Sequence, residues 1–435
     1  MKLRILSGLI LSLLLGSVVT HAQLVNGRLV TSFYTLERFD TVGRSTTYLR
    51  AFQAVQLSAA EGDFSLHTYL LGMVNGTGAF GENGRVRVSN LYLRWANIGR
   101  AADVNLGRQA VYAGVGNGTI DGIMARVRLL DDMITVTGYG GSTVVPDFTG
   151  LRSNWHDNLH FGGRVLTTVL PGARIGLSYM NRREEVDPYW ALRARDTTFT
   201  PVPYYVAPDP YEDERGSADV SYACGEDARV YARYDYDFLT NTTARGQGAL
   251  RVNVAPDLAL TGEYIYRKPR VAFNSIFSAF TQNSVSEVEG GVEYSITALC
   301  RVYGKLGQVS YTDETSMRWT LGLFAQYGSV SYSGSSGYAG ELQSFNVQGA
   351  YPLLDRMIVP SLGVSFASYK LSADAPRDDA LAVLAGATVR PVRTFSVELQ
   401  GQWMRNRLYD RDMRLQVRLM YWFAERMSLF TEEVK

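Results

Sequence analysis

The chain of 435 residues carries 43 Lys plus Arg against 42 Asp plus Glu, a net charge of +1, which excludes a nucleic-acid binder that relies on bulk positive charge. Two cysteines, Cys224 and Cys300, are too few for a disulfide framework, and no Cys-x-x-Cys-His for covalent haem is present. No charge block, low-complexity tract or composition break marks a domain boundary, while glycine (42) and tyrosine (27) are plentiful.

In chain order, MKLRILSGLILSLLLGSVVTHAQ places Lys2 and Arg4 before an apolar run from Ile5 to Val19 and closes on small residues with Ala22 at a cleavage position. Residues 1–22 read as a secretory signal peptide, the run being shorter than the ~20 residues of a membrane helix. From Arg28 to Phe423 the pattern is uniform, and one unit over 23–423 is expected, followed by a short tail over 424–435. The first strand is expected within a few residues of Gln23, leaving no room for a plug domain ahead of it.

The stretch GRQAVYAGVGNGTIDG (107–122) sets Gly114, Gly116 and Gly118 two apart behind a strand-like run. It lacks both the dinucleotide fingerprint and the Gly-Lys-Ser/Thr ending of a phosphate loop, and no helical stripe follows it to hold an anion. Between alternating strands, these glycines predict a turn of low bulk shaping a passage, with Arg108 and Asp121 as flanking polar contacts.

Further along, period two dominates. In ARVYARYDYDFL, Val230, Ala232, Tyr234, Tyr236 and Phe238 oppose Arg229, Tyr231, Arg233, Asp235 and Asp237; in RDMRLQVRLMYWF, Leu415, Val417, Leu419, Tyr421 and Phe423 oppose Arg414, Gln416, Arg418 and Met420. Predicted strands of about 10–14 residues exceed the ~5–6 of soluble sheets. Tight connections at 60–63, 170–173, 224–227, 254–258 and 353–356 alternate with long ones at 142–158, 184–215 and 268–283. Short turns at one rim and long loops at the other predict an all-β fold, a transmembrane antiparallel up-and-down β-barrel with periplasmic turns and extracellular loops. About 20 strands are expected, an even number between 18 and 22, with a hairpin left open in 316–340. Trp95, Trp319, Trp403, Tyr421 and Phe423 fit interfacial girdles.

This architecture resembles bacterial outer-membrane porin-like β-barrels over most of the chain. LQVRLMYWF is similar to the C-terminal signal read by the outer-membrane assembly machinery, although AERMSLFTEEVK follows Phe423 where the family commonly ends at the aromatic. The Gly-Arg-Gln, loop, Asp-Gly stretch at 107–122 resembles a hairpin of porin-like and alginate-export-like channels. The resemblance implies that Val111 to Thr119, the third long-side loop, folds inward as a constriction.

With the apolar face on lipid, alternation turns Arg126, Arg128, Arg164, Arg174, Arg229, Arg233, Arg251, Arg318, Arg414 and Arg418 inward, together with Asp235, Asp237, Glu263, Glu287, Glu289, Glu293 and Glu398. Such groups either orient and partly dehydrate passing anions or pair across strands and stiffen the wall. The expected function is passive or weakly selective diffusion of small hydrophilic solutes, with anions as one candidate class among them. A structural sheath or secretion barrel around a polymer or electron carrier is the alternative. An enzyme would have to use His67, His156 or His160, for which no third metal ligand or oriented serine is evident. Outer-membrane lipid, small solutes and the assembly machinery are the expected partners; a homo-oligomer is left open, and neither cofactor, metal nor nucleic acid is expected.

Overall fold

The computed structural model describes residues 24–76, 85–144, 155–195, 200–270, 283–312, 314–337, 340–372 and 374–425, so the expected signal peptide (1–22) and most of the expected tail (424–435) lie outside them. The described residues form strands and turns. Nine strands come first: β1 (Leu24–Asp40), β2 (Ser45–Glu61), β3 (Phe64–Asn75), β4 (Arg85–Ile98), β5 (Ala102–Ala113), β6 (Gly116–Leu129), β7 (Ile134–Thr143), β8 (Leu159–Thr167) and β9 (Ala173–Glu184). A separate two-stranded hairpin follows, β10 (Tyr189–Arg195) and β11 (Thr200–Val206). The chain then makes β12 (Tyr211–Cys224), β13 (Ala228–Asp237), β14 (Thr242–Ala255), β15 (Leu258–Arg267), β16 (Val285–Thr297), β17 (Cys300–Ser310) and β18 (Thr315–Ala325). It ends with β19 (Gly328–Gly337), β20 (Glu341–Ala350), β21 (Ile358–Lys370), β22 (Asp378–Val392), β23 (Phe395–Arg405) and β24 (Tyr409–Glu425).

Each barrel strand pairs antiparallel with its neighbours in sequence, β9 pairs with β12, and β24 returns to β1, so the 22-stranded sheet has no free edge. The strand number is the upper end of the expected range. The additional pair lies in 316–340, which splits into β18 and β19 around the turn at Gln326 and Tyr327. At the closing seam the Phe423 ring lies over Gly27, where a Cβ would sit 2.6 Å from Cζ, so the glycine of one terminal strand accommodates the aromatic of the other. β24 runs two residues past Phe423, to Glu425.

All five predicted tight turns fall on one rim, which also holds the start of β1 and the end of β24. Gly62 (φ +55°), Gly172 (φ +74°) and Gly225 (φ +64°) supply left-handed backbone there. Two other turns on this rim use residues with side chains instead, Leu130-Asp131-Asp132 and Leu354-Asp355-Arg356, each with three successive positive φ values closed by an i+3 amide bond. The opposite rim is mixed. It carries the connections after β7, β9 and β15 but also short ones, such as 238–241 between β13 and β14.

The side-chain faces are inverted relative to a soluble protein. Leu106, Leu177, Val288, Leu306, Leu321 and Leu362 are each between 57 and 60 % exposed on the outer face, whereas the groups removed from solvent include Asp103, Ser178, Asp213, Asp235, Glu287 and Asp412 on the inner one. Outward aromatics cap this band: Phe64 stacks on Trp95 at 5.5 Å and Tyr421 on Phe423 at 6.0 Å near the short-turn rim, and Tyr179 packs with Phe161 and Phe238 near the other. Trp319 covers Gly334 across the strand pair.

Candidate functional site

Among the described residues, the end of the β5–β6 hairpin leaves the inner wall. β5 is paired with β4 only up to Arg108, and β6 with β7 only from Ile120 onward, so Gln109 to Gly118 have strand partners only in one another. The departure starts at Gly107, whose φ of +125° breaks the two-residue alternation, and it is matched on the return strand by Gly118 (φ +142°). From there the tip lies against inward side chains of β7, β8 and β9. The Val115 amide donates to Ser178 Oγ at 2.9 Å, a Cβ on Gly114 or Gly116 would collide with Ser178 or Tyr139, and one on Gly118 would sit 3.2 Å from His160 Cε1. The segment is therefore a clamped two-residue hairpin at the position expected for the third long-side loop.

Its two faces differ. Val111 and Ile120 are fully buried and, with Ala113, Tyr139 and Met124, form the molecule's apolar cluster. Tyr112 and Asn117, which pair with each other on the other face, point away from the wall, Tyr112 being 84 % exposed. At the base, Gln109 donates to the carbonyls of Asn105, Gly107 and Gly122. Arg108 and Asp121 close a bidentate pair, Nε–Oδ1 and Nη2–Oδ2 both 2.7 Å, with only 6 and 13 % of their side chains exposed. The two residues expected as flanking polar contacts thus hold each other at the base of the hairpin, and Arg108 also donates to the Val88 carbonyl.

All ten arginines expected on the inner face alternate with outward apolar residues, as do Asp235, Asp237, Glu263, Glu287, Glu289, Glu293 and Glu398. Seven of the ten are in ion pairs: Arg128–Asp103 (2.6 Å), Arg164–Asp219 (2.9 Å), Arg233–Asp235 (2.8 Å), Arg251–Glu293 (2.7 Å), Arg318–Glu289 (2.8 Å), Arg414–Asp412 (2.8 Å) and Arg418–Glu398 (3.0 Å). Arg318 also reaches Glu287, and Asp237 receives Arg270. Arg126, Arg174 and Arg229 have no acidic partner among the described residues. Most of these ten are thus neutralised, and three of them keep an unpaired positive charge. Gly176 makes room for one pair, since a Cβ there would lie 2.6 Å from Asp219 Oδ1 and 2.7 Å from Arg164 Nη2. From β19 to β22 the inner face carries hydroxyls and amides instead, with Ser329, Ser331, Ser333 and Ser335 in a row.

The three candidate histidines, His67, His156 and His160, are dispersed. His67 stacks on Tyr92 at 4.9 Å and bonds Ser65; His160 is fully buried with its Nε2 3.4 Å from the Tyr139 hydroxyl; His156 lies beside Trp155 in the β7–β8 connection. No group of three metal-ligating side chains occurs among the described residues. Cys224 and Cys300 are free thiols, one ending β12 and the other starting β17. Tyr112, Ser178, Tyr139 and Asp219 were not legible as site residues. Only the glycine at 107, which shifts the alternation by one position, hinted that Tyr112 would leave the wall.

The sequence matches no family model and no curated relative. The fold is similar to outer-membrane β-barrel channels of known structure. The P pilus usher (PapC) translocation pore shares 10% identity at a TM-score of 0.49, over 93% of this chain and 100% of that one. OccK2 (OpdF) of Pseudomonas aeruginosa shares 8% identity at 0.43 over 93% and 98%, and the outer membrane protein opdK of the same organism 11% at 0.38 over 92% and 99%.

Proposed function

We propose that the chain is an outer-membrane channel for passive, weakly selective diffusion of small hydrophilic solutes, with a modest preference for anions. The observation that carries this reading is the inverted, edgeless sheet. Its exposed apolar band is far larger than the few hundred Å² a soluble monomer tolerates, so it calls for lipid around it, while ion pairs and hydroxyls line a water-filled interior. In hydrocarbon every backbone amide needs an internal partner, which the β1–β24 seam supplies. The rim with both strand ends and the short turns faces the periplasm, and the hairpin tip narrows the lumen from one side. Arg126, Arg174 and Arg229 supply the anion preference, and the histidines pack the wall without performing chemistry.

Conductance of the purified protein in a planar bilayer tests this directly. Stable open steps with a reversal potential shifted toward the anion are expected. A barrel that stays closed at all voltages, or one that conducts cations preferentially, would sink the respective half of the reading.

A second reading, passage of a polymer or partner chain, is favoured by strand number. Twenty-two strands at the usual tilt and spacing give a perimeter of roughly 140 Å, or about 40 Å across if round, wider than small solutes need.

A further inference from the structure

The inner wall between β12 and β17 holds a cavity of about 510 Å³ whose lining includes Arg229, Tyr231, Ala249, Arg251, Thr261 and Glu263. Its floor is low because Ala249 and Thr261 stand between longer neighbours. Arg229 and Arg251 face each other directly across the β13–β14 pair, two like charges on one rung. Arg251 is drawn away to Glu293 at 2.7 Å, which leaves Arg229 as a guanidinium without an acceptor among the described residues. At the other end of the cavity Glu263 accepts a single bond from the neutral Gln247 amide at 2.8 Å and has no cationic partner among the described residues. The remaining charges on the lining, Glu289 and Lys305, satisfy each other at 2.9 Å.

One uncompensated cation and one uncompensated anion therefore border the same hollow. The register sets their spacing. Arg229 opposes Arg251 and then Thr261, whereas Glu263 lies two residues further along β15, so the two backbones are two strands and two residues apart, about 12 Å. Both side chains are long and rotatable, so a short flexible molecule has the reach to touch one at each end.

We propose that this cavity is a wall-binding subsite for small zwitterions, taking the carboxylate on Arg229 and the ammonium on Glu263. This rests on the channel reading and names a solute class for it. A mono-anion would satisfy only the arginine, and a mono-cation only the glutamate. Each forgoes one charge contact and leaves the opposite group unpaired.

The test uses the purified full-length barrel and three probes of equal chain length: 4-aminobutanoate, butanoate and butylammonium. Calorimetry in detergent measures binding, and blockade of single-channel current measures occupancy during conduction. The zwitterion is expected to bind about fivefold tighter than either analogue, the size of one solvent-exposed charge contact. Glu263→Gln, which keeps shape, removes that advantage and leaves butanoate binding unchanged. Arg229→Gln weakens both 4-aminobutanoate and butanoate, and resistance of each variant to unfolding in cold SDS verifies that the barrel is intact. Equal binding of 4-aminobutanoate and butanoate, or an intact Glu263→Gln variant that keeps the zwitterion advantage, overturns the subsite while leaving the channel reading in place. Zwitterion binding without any conductance supports the subsite and overturns the channel reading.

Discussion

Arg108 and Asp121 are the residues on which the hairpin's departure from the wall turns. They are cross-strand partners at the last rung before the tip, they are almost fully removed from solvent, and Arg108 also donates to the Val88 carbonyl at 3.2 Å. Removing one member leaves the other charged and buried, which costs about 3–5 kcal/mol, whereas replacing both with apolar residues of similar volume is close to neutral. Arg108→Ala should therefore lower the temperature at which the folded band is lost on SDS gels, and Arg108→Met combined with Asp121→Leu should recover most of it. Equal losses in the single and double variants would contradict a shared buried pair. The wall arginines separate by the same reasoning. Arg233 is neutralised by Asp235 at 2.8 Å and Arg229 is not, so Arg229→Ala should shift the reversal potential toward cations. Arg233→Ala exposes Asp235 and should shift it in the same direction, more strongly at low salt, where screening is weak. An unchanged reversal potential in Arg229→Ala would remove that residue from the conduction path.

At the scale of the element, the β5–β6 hairpin should behave as a rigid projection. Its contacts are made by Val111, Ala113 and Ile120 against Tyr139, and by the Val115 amide on Ser178. Shortening it by removing residues 110–119 and joining the strands with Asn-Gly should raise single-channel conductance and leave the barrel folded, because these residues pair with neither β4 nor β7. Cross-linking the tip through Val115→Cys and Ser178→Cys, with Cys224 and Cys300 changed to serine, should leave conductance unaltered. A marked fall on cross-linking would mean that the tip normally swings. The same hairpin defines what was legible beforehand. Period-two alternation gave the strands and their faces, since each wall strand presents only two environments, and turn-forming residues located the short rim. The motif at 107–122 announced a special hairpin, but nothing in it could say that Arg108 and Asp121 would meet each other. That pairing depends on register, which the chain acquires only when β5 and β6 zip together. Ion pairs between strands distant in sequence, such as Arg251 with Glu293, depend likewise on the order of strands around the wall. The hairpin hidden in 316–340 was ambiguous because its turn, Gln326-Tyr327-Gly328, offers one glycine between two runs that both alternate.

Over the whole molecule, perimeter and charge distribution act together. A wall of about 22 × 4.8 Å before tilt encloses far more space than one two-residue hairpin can block, and the hairpin rests on β7, β8 and β9 only. The interior is also asymmetric: ion pairs are dense from β4 to β18 and again at β23, β24 and β1, while β19 and β20 present serine, asparagine and glutamine, and the pairs Lys370–Glu341 and Arg407–Asp378 sit at the strand ends of β20 to β22. A wide lumen with a mostly neutralised wall has weak long-range selectivity, since solutes more than a Debye length of ~8–10 Å from the arginines are screened from them. Discrimination is then confined to molecules that touch the wall. Conductance in neutral polyethylene glycols of graded size measures the bore independently of charge. Polymers up to roughly 10 Å in radius should enter and depress the current, as expected from strand number. A sharp cutoff at a few Å would mean that the lumen is filled well beyond the hairpin, which would remove the ground for a polymer-passing barrel. Entry of all sizes tested, combined with an ion preference that vanishes above ~0.5 M salt, would turn the balance toward that second reading.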